Sequence, residues 1–293
     1  MTKGITRRSL LASTLIAGMM PGRLRAATPR LAVIDWGMLE TSIAIGAQPA
    51  AGTELIQFRQ VVVEPELPAG IADLGLRGTP NYELLRLVAP DLILISNFYE
   101  YQRAALERVA PVLSLPVYEA GKPPYPLAEQ AAITLGATLG RRGPAEALVA
   151  DTATFLAHCR NKLQPLAARP VFVISLGDHR HFRAFGADSM IGDVLTRLGL
   201  TNAWTDPTSY SAAAPVGLEA LARKPGAAIV IVSPTPPNVA RTLAENALWN
   251  ALPAVRNGRV AVLAPINHFG GLPSAQRFAR LILEAAAAWG GHG

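Results

Sequence analysis

The chain has 293 residues, half of them apolar and 16% charged, with a formal net charge of +6. That length and apolar share can bury a full core, as one large domain or two smaller ones. The excess positive charge gives no argument for a nucleic-acid or anionic-membrane partner. Five of the 27 basic residues (Lys3, Arg7, Arg8, Arg23 and Arg25) lie in the first 26 positions, and beyond them 22 basic residues face 21 acidic ones, a balance of +1.

In chain order, the first element is an export leader. Thr6-Arg7-Arg8-Ser9-Leu10-Leu11 opens an apolar run, Leu10 to Met20, that Pro21-Gly22 breaks ahead of a small-residue exit at Leu24-Arg25-Ala26-Ala27. Residues 1–26 therefore read as a twin-arginine signal peptide, and the run is shorter than the roughly 20 apolar residues of a membrane span. No cysteine follows the cut, so no lipid anchor is expected. The lone thiol, Cys159, leaves no internal disulfide, and the expectation is a soluble, monomeric periplasmic protein stabilised by its core.

After the leader, short β-rich runs alternate with helical ones, the sign of α/β layers with mostly parallel sheets. Strands are predicted at Leu31 to Ile34, Leu92 to Ile95, Val112 to Leu115, Val171 to Ser175, Ala228 to Val232 and Val260 to Leu263. A helix over Pro80 to Val88 is predicted to begin on its proline. The stretches Leu84 to Ser96 and Leu221 to Ser233 read as two copies of one unit: helix, proline, buried strand, serine. A further helix, proline and strand follow each copy, over Leu106 to Leu115 and Leu248 to Leu263, so two lobes of related topology are expected. Between them, Gly143-Pro144 precede a helical pattern from Ala145 to about Gln164, ended by Pro165. Its apolar stripe, Leu148, Thr152, Phe155, Leu156, Cys159 and Leu163, puts Cys159 on the buried face. At 1.5 Å per residue the helix would span roughly 30 Å, the width of a small domain. The expected division is an N-terminal α/β lobe over 27–143, a connecting helix over 144–166 and a C-terminal α/β lobe over 167–293, with the ligand cleft between the lobes.

No Gly-x-Ser-x-Gly elbow, phosphate-binding glycine loop or His-Glu-x-x-His motif is present. Asp178-His179-Arg180-His181 is the one local cluster with metal-ligand chemistry, and it also fits an ordinary polar loop. Open α/β sheets place ligands beyond the carboxyl ends of their strands. There the sequence puts Asn97, Phe98, Tyr99 and Tyr101 after one strand, Asp178 to His181 after another, and Asn267, His268 and Phe269 after the last. Arg77, in Gly75-Leu76-Arg77-Gly78-Thr79-Pro80, has glycines nearby that let backbone come close to a ligand. Trp36 follows the first strand, Tyr210 lies in a polar connection after Trp204, and Trp249 sits in a helical pattern that reads as core.

Several segments together resemble the periplasmic ferric hydroxamate siderophore-binding proteins, the receptors of iron-uptake ABC importers. They are Asp73-Leu74-Gly75-Leu76-Arg77 with Pro80-Asn81-Tyr82-Glu83-Leu84-Leu85; Arg180-His181-Phe182 leading to Phe185-Gly186 and Ser189; Gly199 to Trp204; and Trp249 to Val255 with Gly258-Arg259. The resemblance spans nearly the whole chain after the leader. It implies two α/β lobes joined by one long helix, a shallow cleft and little hinge motion.

Within that resemblance the family's hydroxamate-binding arginine falls on Arg77, its nearby tyrosine on Tyr99 and its first-lobe tryptophan on Trp36. The second lobe's aromatic cluster falls on Trp204, Tyr210, His268 and Phe269. Val61, Ile95, Ser211 and Asn267 stand where the family often has further tryptophans. The permease-docking acid of the second lobe falls on Glu219, and that of the first on Glu100 or Glu107.

No cofactor or protein-borne metal is expected, because the ligand carries its own ferric iron. What such a chelate needs is donors for its outward oxygens and apolar surface for its carbon frame, which Arg77, the tyrosines and the aromatic rings supply. The expected partners are a ferric hydroxamate siderophore and an inner-membrane ABC permease, with no nucleic acid and no catalysis. The competing expectations are a receptor for cobalamin, haem or a ferric catecholate, with Arg59, Arg180 and Arg183 as added basic groups, and an exported enzyme using Asp178, His179 and His181 on a metal.

Overall fold

Runs rich in Val, Ile and Leu form the central strands because branched side chains fit a pleated sheet covered on both faces. The structure, a computed structural model, describes residues 29–206, 208 and 216–289. The leader expected over 1–26, Tyr210 and Ser211 lie outside the described residues.

The first half runs β1 (Leu31–Val33), α1 (Trp36–Ala44), β2 (Ala51–Gly52), α2 (Leu55–Val61), β3 (Ala72–Asp73), α3 (Tyr82–Val88) and β4 (Leu92–Ile95). A 3-10 turn (Asn97–Gln102), α4 (Arg103–Leu106), β5 (Val112–Ser114) and α5 (Pro124–Thr138) complete it. The long helix α6 (Arg142–Leu163) follows. The second half runs β6 (Val171–Leu176), β7 (His181–Ala184), α7 (Met190–Arg197), β8 (Val216–Gly217), a 3-10 helix (Leu218–Arg223) and β9 (Ala228–Val232). It ends with α8 (Pro237–Ala244), α9 (Ala247–Ala251), α10 (Pro253–Arg256), β10 (Val260–Leu263) and α11 (Leu272–Trp289).

Two five-stranded sheets result, ordered β3-β2-β1-β4-β5 and β10-β9-β6-β7-β8. The repeated segments occupy matching places: β4 and β9 flank the central strands β1 and β6, and β5 and β10 lie outside them. The match stops at the other edge. β2 and β3 run parallel to β1, whereas β7 and β8 form an antiparallel ladder beside β6. The segment Asp178 to His181, expected as a loop, is the turn of the β6–β7 hairpin and the first residue of β7.

Two helix boundaries differ from expectation. α3 starts at Tyr82, because the Asn81 side chain accepts the Leu84 N–H at 2.9 Å and caps it; Pro80 stays outside. α6 starts at Arg142 and absorbs Pro144 in its first turn, where a backbone N–H has no helical acceptor to lose. At its far end Pro165 sits in a 3-10 turn, Gln164–Leu166. Cys159 is fully buried on the α6 stripe, as expected, and burial raises its thiol pKa.

Strand alternation sorts the core. Val33 and Leu94 from the first sheet, and Val173, Val230 and Val232 from the second, point into one shared apolar cluster. Their neighbours Ala32, Ile34, Ile93 and Ile95 face a separate outer cluster of the first lobe, and Phe172, Ile174, Ile229 and Ile231 one of the second. The shared cluster is filled by α1, α5, α6, α7 and α11, which pack on one another between the sheets.

Polar links reinforce it. Glu40 of α1 is fully buried and accepts the Gly271 N–H at 2.7 Å, the Ser274 N–H at 3.2 Å, the Ser274 hydroxyl at 2.9 Å and the Asn267 amide at 3.2 Å. It thereby caps the first turn of α11 from 231 to 234 residues away in sequence, where a carboxylate suits the helix dipole. The backbones meet so closely here that a Cβ on Gly37 would lie 2.8 Å from the Phe269 carbonyl, and one on Gly270 would strike Ser274. A second link joins Glu64 to Arg277, a buried arginine, at 2.8 Å, and to Arg280.

Candidate functional site

At the carboxyl ends of β1 and β4, Asp35, Trp36, Glu54, Arg77, Gly78, Phe98, Tyr99 and Phe269 line a cleft of ≈ 370 Å³. Each arrives by a short step from a regular element. Asp35 caps α1 by accepting the Met38 N–H at 2.9 Å, and its other oxygen accepts the Ser96 hydroxyl at 2.9 Å. Trp36 is the first residue of that helix. Its indole N–H donates to the Thr53 carbonyl at 2.9 Å and its ring meets Phe58 edge-on, with centroids 5.8 Å apart.

Arg77 is fixed from three sides. Its Nε donates to Glu54 Oε2 at 2.8 Å, its backbone N–H donates to Glu54 Oε1 at 3.1 Å, and its guanidinium carbon lies 3.9 Å above the Trp36 ring centroid. Gln102 holds the Arg77 carbonyl from below at 2.9 Å. The guanidinium is pre-organised by a cation–π contact and an ion pair, and no described residue accepts from its terminal amino groups.

Tyr99 supplies the second polar tip. Burial first, and the Asp35 charge second, push its hydroxyl up to about 12, so it remains a donor throughout the physiological range. The opposite wall is a ring cluster: Phe98 and Tyr118 stack at 5.9 Å, and Phe269 packs edge-on to both at 5.7 Å. The Tyr118 hydroxyl donates to the Gly270 carbonyl at 2.6 Å, tying a first-lobe aromatic to the loop that carries Phe269.

Of the residues expected at the site, the cleft gathers Trp36, Arg77, Tyr99 and Phe269. Trp36 is largely covered by Arg77 and serves it as a platform. His268 points aside, edge-on to Phe185 at 4.9 Å. Trp204 is buried against Phe182 in the second lobe's outer core, and Trp249 joins the same core. Asn267, at a position where the resemblance implies a tryptophan, donates to Glu40 and accepts the Phe269 N–H at 3.2 Å. Ile95 there is a fully buried core residue of β4.

Asp35, Glu54, Glu40 and Tyr118 were not singled out from sequence. An isolated acid in a helical stretch reads as solvated charge, and only for Glu40 is there a signal: it interrupts a helix, Trp36 to Ser42, that is otherwise apolar or small.

Asp178 receives the Arg180 and His181 backbone N–H groups and pairs with the His181 ring at 3.0 Å, closing the β6–β7 turn on itself. Among the described residues no group of three His, Cys, Asp or Glu side chains is placed to hold a metal ion. Glu100 and Glu107 both pair with Arg103, at 2.7 and 3.1 Å, and the guanidinium draws the Glu100 carboxyl down to about 2.

Two buried groups beside the cleft give opposite pH dependences. Burial raises the Glu40 carboxyl from 4.5 to about 7, outweighing its hydrogen bonds, and lowers His268 from 6.5 to about 4 with help from Arg183. Between pH 4.5 and 7 the native protein keeps a Glu40 proton that the unfolded chain releases, so this group's contribution falls by about 3 kcal/mol as pH rises. Between pH 6.5 and 4 the unfolded chain takes up a His268 proton that the native protein refuses, so that contribution falls as pH drops. Thermal melts across pH 4.5 to 7 should show stability rising with pH more steeply in Glu40→Gln than in the wild type, and less steeply in His268→Gln.

A cleft with a fixed guanidinium, a phenol and an aromatic wall, lined by the first lobe and by Phe269 of the second half, has the features of a ligand-binding site. The chain belongs to the periplasmic binding protein family, whose model matches residues 31–266. It is 29% identical over 286 residues, 96% of each chain, to the iron(3+)-hydroxamate-binding protein FhuD of Escherichia coli (strain K12). The Fe3+–Desferal-bound siderophore-binding protein FhuD of Vibrio cholerae superposes with a TM-score of 0.83 at 26% identity, over 88% of this chain and 97% of that one. The catecholate-siderophore-binding protein VctP of Vibrio cholerae shares the fold, with a TM-score of 0.68 at 18% identity over 88% and 93% of the two chains. Among the described residues no helix is long and apolar enough to cross a membrane.

Proposed function

We propose that this protein is a periplasmic receptor that captures ferric hydroxamate siderophores and delivers them to an inner-membrane ABC permease. Residues 1–26 act as its export leader, and the two lobes lie on either side of α6, Arg142–Leu163, which joins them. One observation carries the reading: among the described residues none accepts from the terminal amino groups of Arg77, in a cleft whose other lining is the aromatic residues Trp36, Phe98, Tyr99 and Phe269 with Gly78 and the two acids Asp35 and Glu54. A hydroxamate complex encloses its iron in oxygen atoms and turns the outer edge of those oxygens to the receptor. Arg77 and Tyr99 donate to that edge, and the rings cover the carbon frame. Likeness to two hydroxamate- or Desferal-binding proteins over nearly the full chain supports the same choice. Gel filtration of the purified protein with a ferric hydroxamate tests it: the coloured complex should elute with the protein in equimolar amount. Elution only at the small-molecule position would reject the reading.

Delivery needs an acidic contact on each lobe. Glu219 is exposed on the second residue of the 3-10 helix preceding β9. Glu83 holds the matching place in the first lobe, exposed on the second residue of α3 preceding β4. Glu100 and Glu107 are already engaged by Arg103, so Glu83 and Glu219 are the better pair. Reversing either charge to lysine should lower receptor-stimulated ATPase activity of the reconstituted permease about tenfold, as for a rim ion pair of roughly 1.4 kcal/mol. Chelate affinity should not change.

A further inference from the structure

Glu54 does more at the cleft than an ordinary surface acid. It is a non-glycine residue in left-handed backbone conformation, φ 50° and ψ 45°, at the entry to α2. Such a conformation persists only where surrounding contacts impose it, and it concentrates at functional sites. Here the Glu54 N–H donates to the Gly75 carbonyl at 2.9 Å, and both carboxylate oxygens are taken by Arg77. The Glu54 side chain is 16% exposed and lines the cleft.

The electrostatic consequence follows from the lining residues. Arg77 is the sole cation among them, and it faces two carboxyl groups, Glu54 and Asp35. The described wall therefore carries no net positive charge, whichever state Asp35 adopts. Ferric iron bound by three hydroxamates is neutral, and a pendant ammonium makes the complex a cation, whereas iron bound by three catecholates carries three negative charges. Near a partly buried carboxylate an anionic complex meets repulsion that water screens poorly. Specificity can rest on such a repulsive element as much as on attraction.

We infer that Glu54 is a charge filter for the ligand: it aims Arg77 at the chelate oxygens and cancels its field, admitting neutral and cationic ferric chelates and turning away anionic ones. This rests on the chelate-receptor reading above and adds to it the residue that sets the charge class. Removing the charge while keeping the shape, in Glu54→Gln, should relax the filter. Shortening the side chain while keeping the charge, in Glu54→Asp, should release Arg77 and leave the filter in place, since aspartate accepts the left-handed backbone.

The test is fluorescence titration of the mature protein and both variants with ferrichrome (neutral), ferrioxamine B (cationic) and ferric enterobactin (anionic), at low and at physiological salt. In Glu54→Gln the anionic-to-neutral affinity ratio should rise at least tenfold and ferrioxamine B should lose severalfold. In Glu54→Asp all affinities should fall, with that ratio within about twofold of the wild type. A ratio unchanged in Glu54→Gln, with wild-type preference for hydroxamates intact, would overturn the filter alone. Tighter binding of ferric enterobactin than of either hydroxamate by the wild type would overturn both the filter and the hydroxamate reading.

Discussion

Replacing Arg77 by alanine should weaken ferric hydroxamate binding by about 100-fold or more, with little change in the melting temperature. The guanidinium offers its terminal amino groups to the ligand, and hydrogen bonds to a charged group contribute roughly 1.5–3 kcal/mol each, with 1.4 kcal/mol worth a factor of ten. The substitution also strands Glu54, leaving a carboxylate in the cleft without its counter-ion, and this adds repulsion against the ligand's oxygens. The fold loses less than the ligand does: the Arg77 side chain is 29% exposed, and what the fold gives up is its stack on Trp36 and its pair with Glu54. Lysine at this position should recover only part of the affinity: its single ammonium cannot reproduce the planar fork that lies on Trp36 and bonds Glu54 along one edge. Isothermal titration and thermal melts on the same preparations separate the two effects.

Replacing Glu40 by alanine should act the other way round, with a large loss of stability that carries a loss of binding behind it. Four donors converge on this carboxylate. Deleting it leaves the Gly271 and Ser274 N–H groups and the Asn267 amide without acceptors in a buried place, at about 1–3 kcal/mol for each unsatisfied group. A total near 4 kcal/mol corresponds to a melting temperature lower by roughly 10 °C in a protein of this size. Because Asn267 also holds the Phe269 N–H, the aromatic wall should loosen in parallel. Glu146→Ala is the control: its pair with Arg142 is exposed, and its loss should change stability by less than about 0.5 kcal/mol.

These two residues mark what the sequence made legible and what it hid. Six strands are legible because β4, β6, β9 and β10 are nearly unbroken Val, Ile and Leu runs, and β1 and β5 are short versions of the same. The two-residue strands β2, β3 and β8 carry only Ala, Gly, Asp or Val and have no pattern to find; tertiary pairing alone defines them. The antiparallel β6–β7 hairpin is hidden in the sequence because Asp178 to His181 is polar and reads as a loop, and β7, His181–Ala184, has only one large apolar residue, Phe182.

At the site, Tyr99 is marked by its place beyond a strand end and Arg77 by its glycine-flanked loop, and the resemblance implies roles for both. Trp204 is marked by the resemblance alone and lies in a core instead, since nothing local distinguishes an indole that faces Phe182 from one that faces a ligand. Glu54 and Glu40 escaped notice because their meaning lies in partners 23 and up to 234 residues away.

In the proposed function, one fixed arginine on an aromatic platform, in a cleft whose described wall carries no net positive charge, receives a neutral ferric hydroxamate. Tryptophan fluorescence titration with a ferric hydroxamate, a ferric catecholate and cobalamin tests it most directly, since Trp36 lies under Arg77 at the cleft floor. Submicromolar quenching by the hydroxamate alone, lost in Arg77→Ala, is the predicted result. Equal weak responses to all three ligands, or a hydroxamate response untouched by Arg77→Ala, would contradict it.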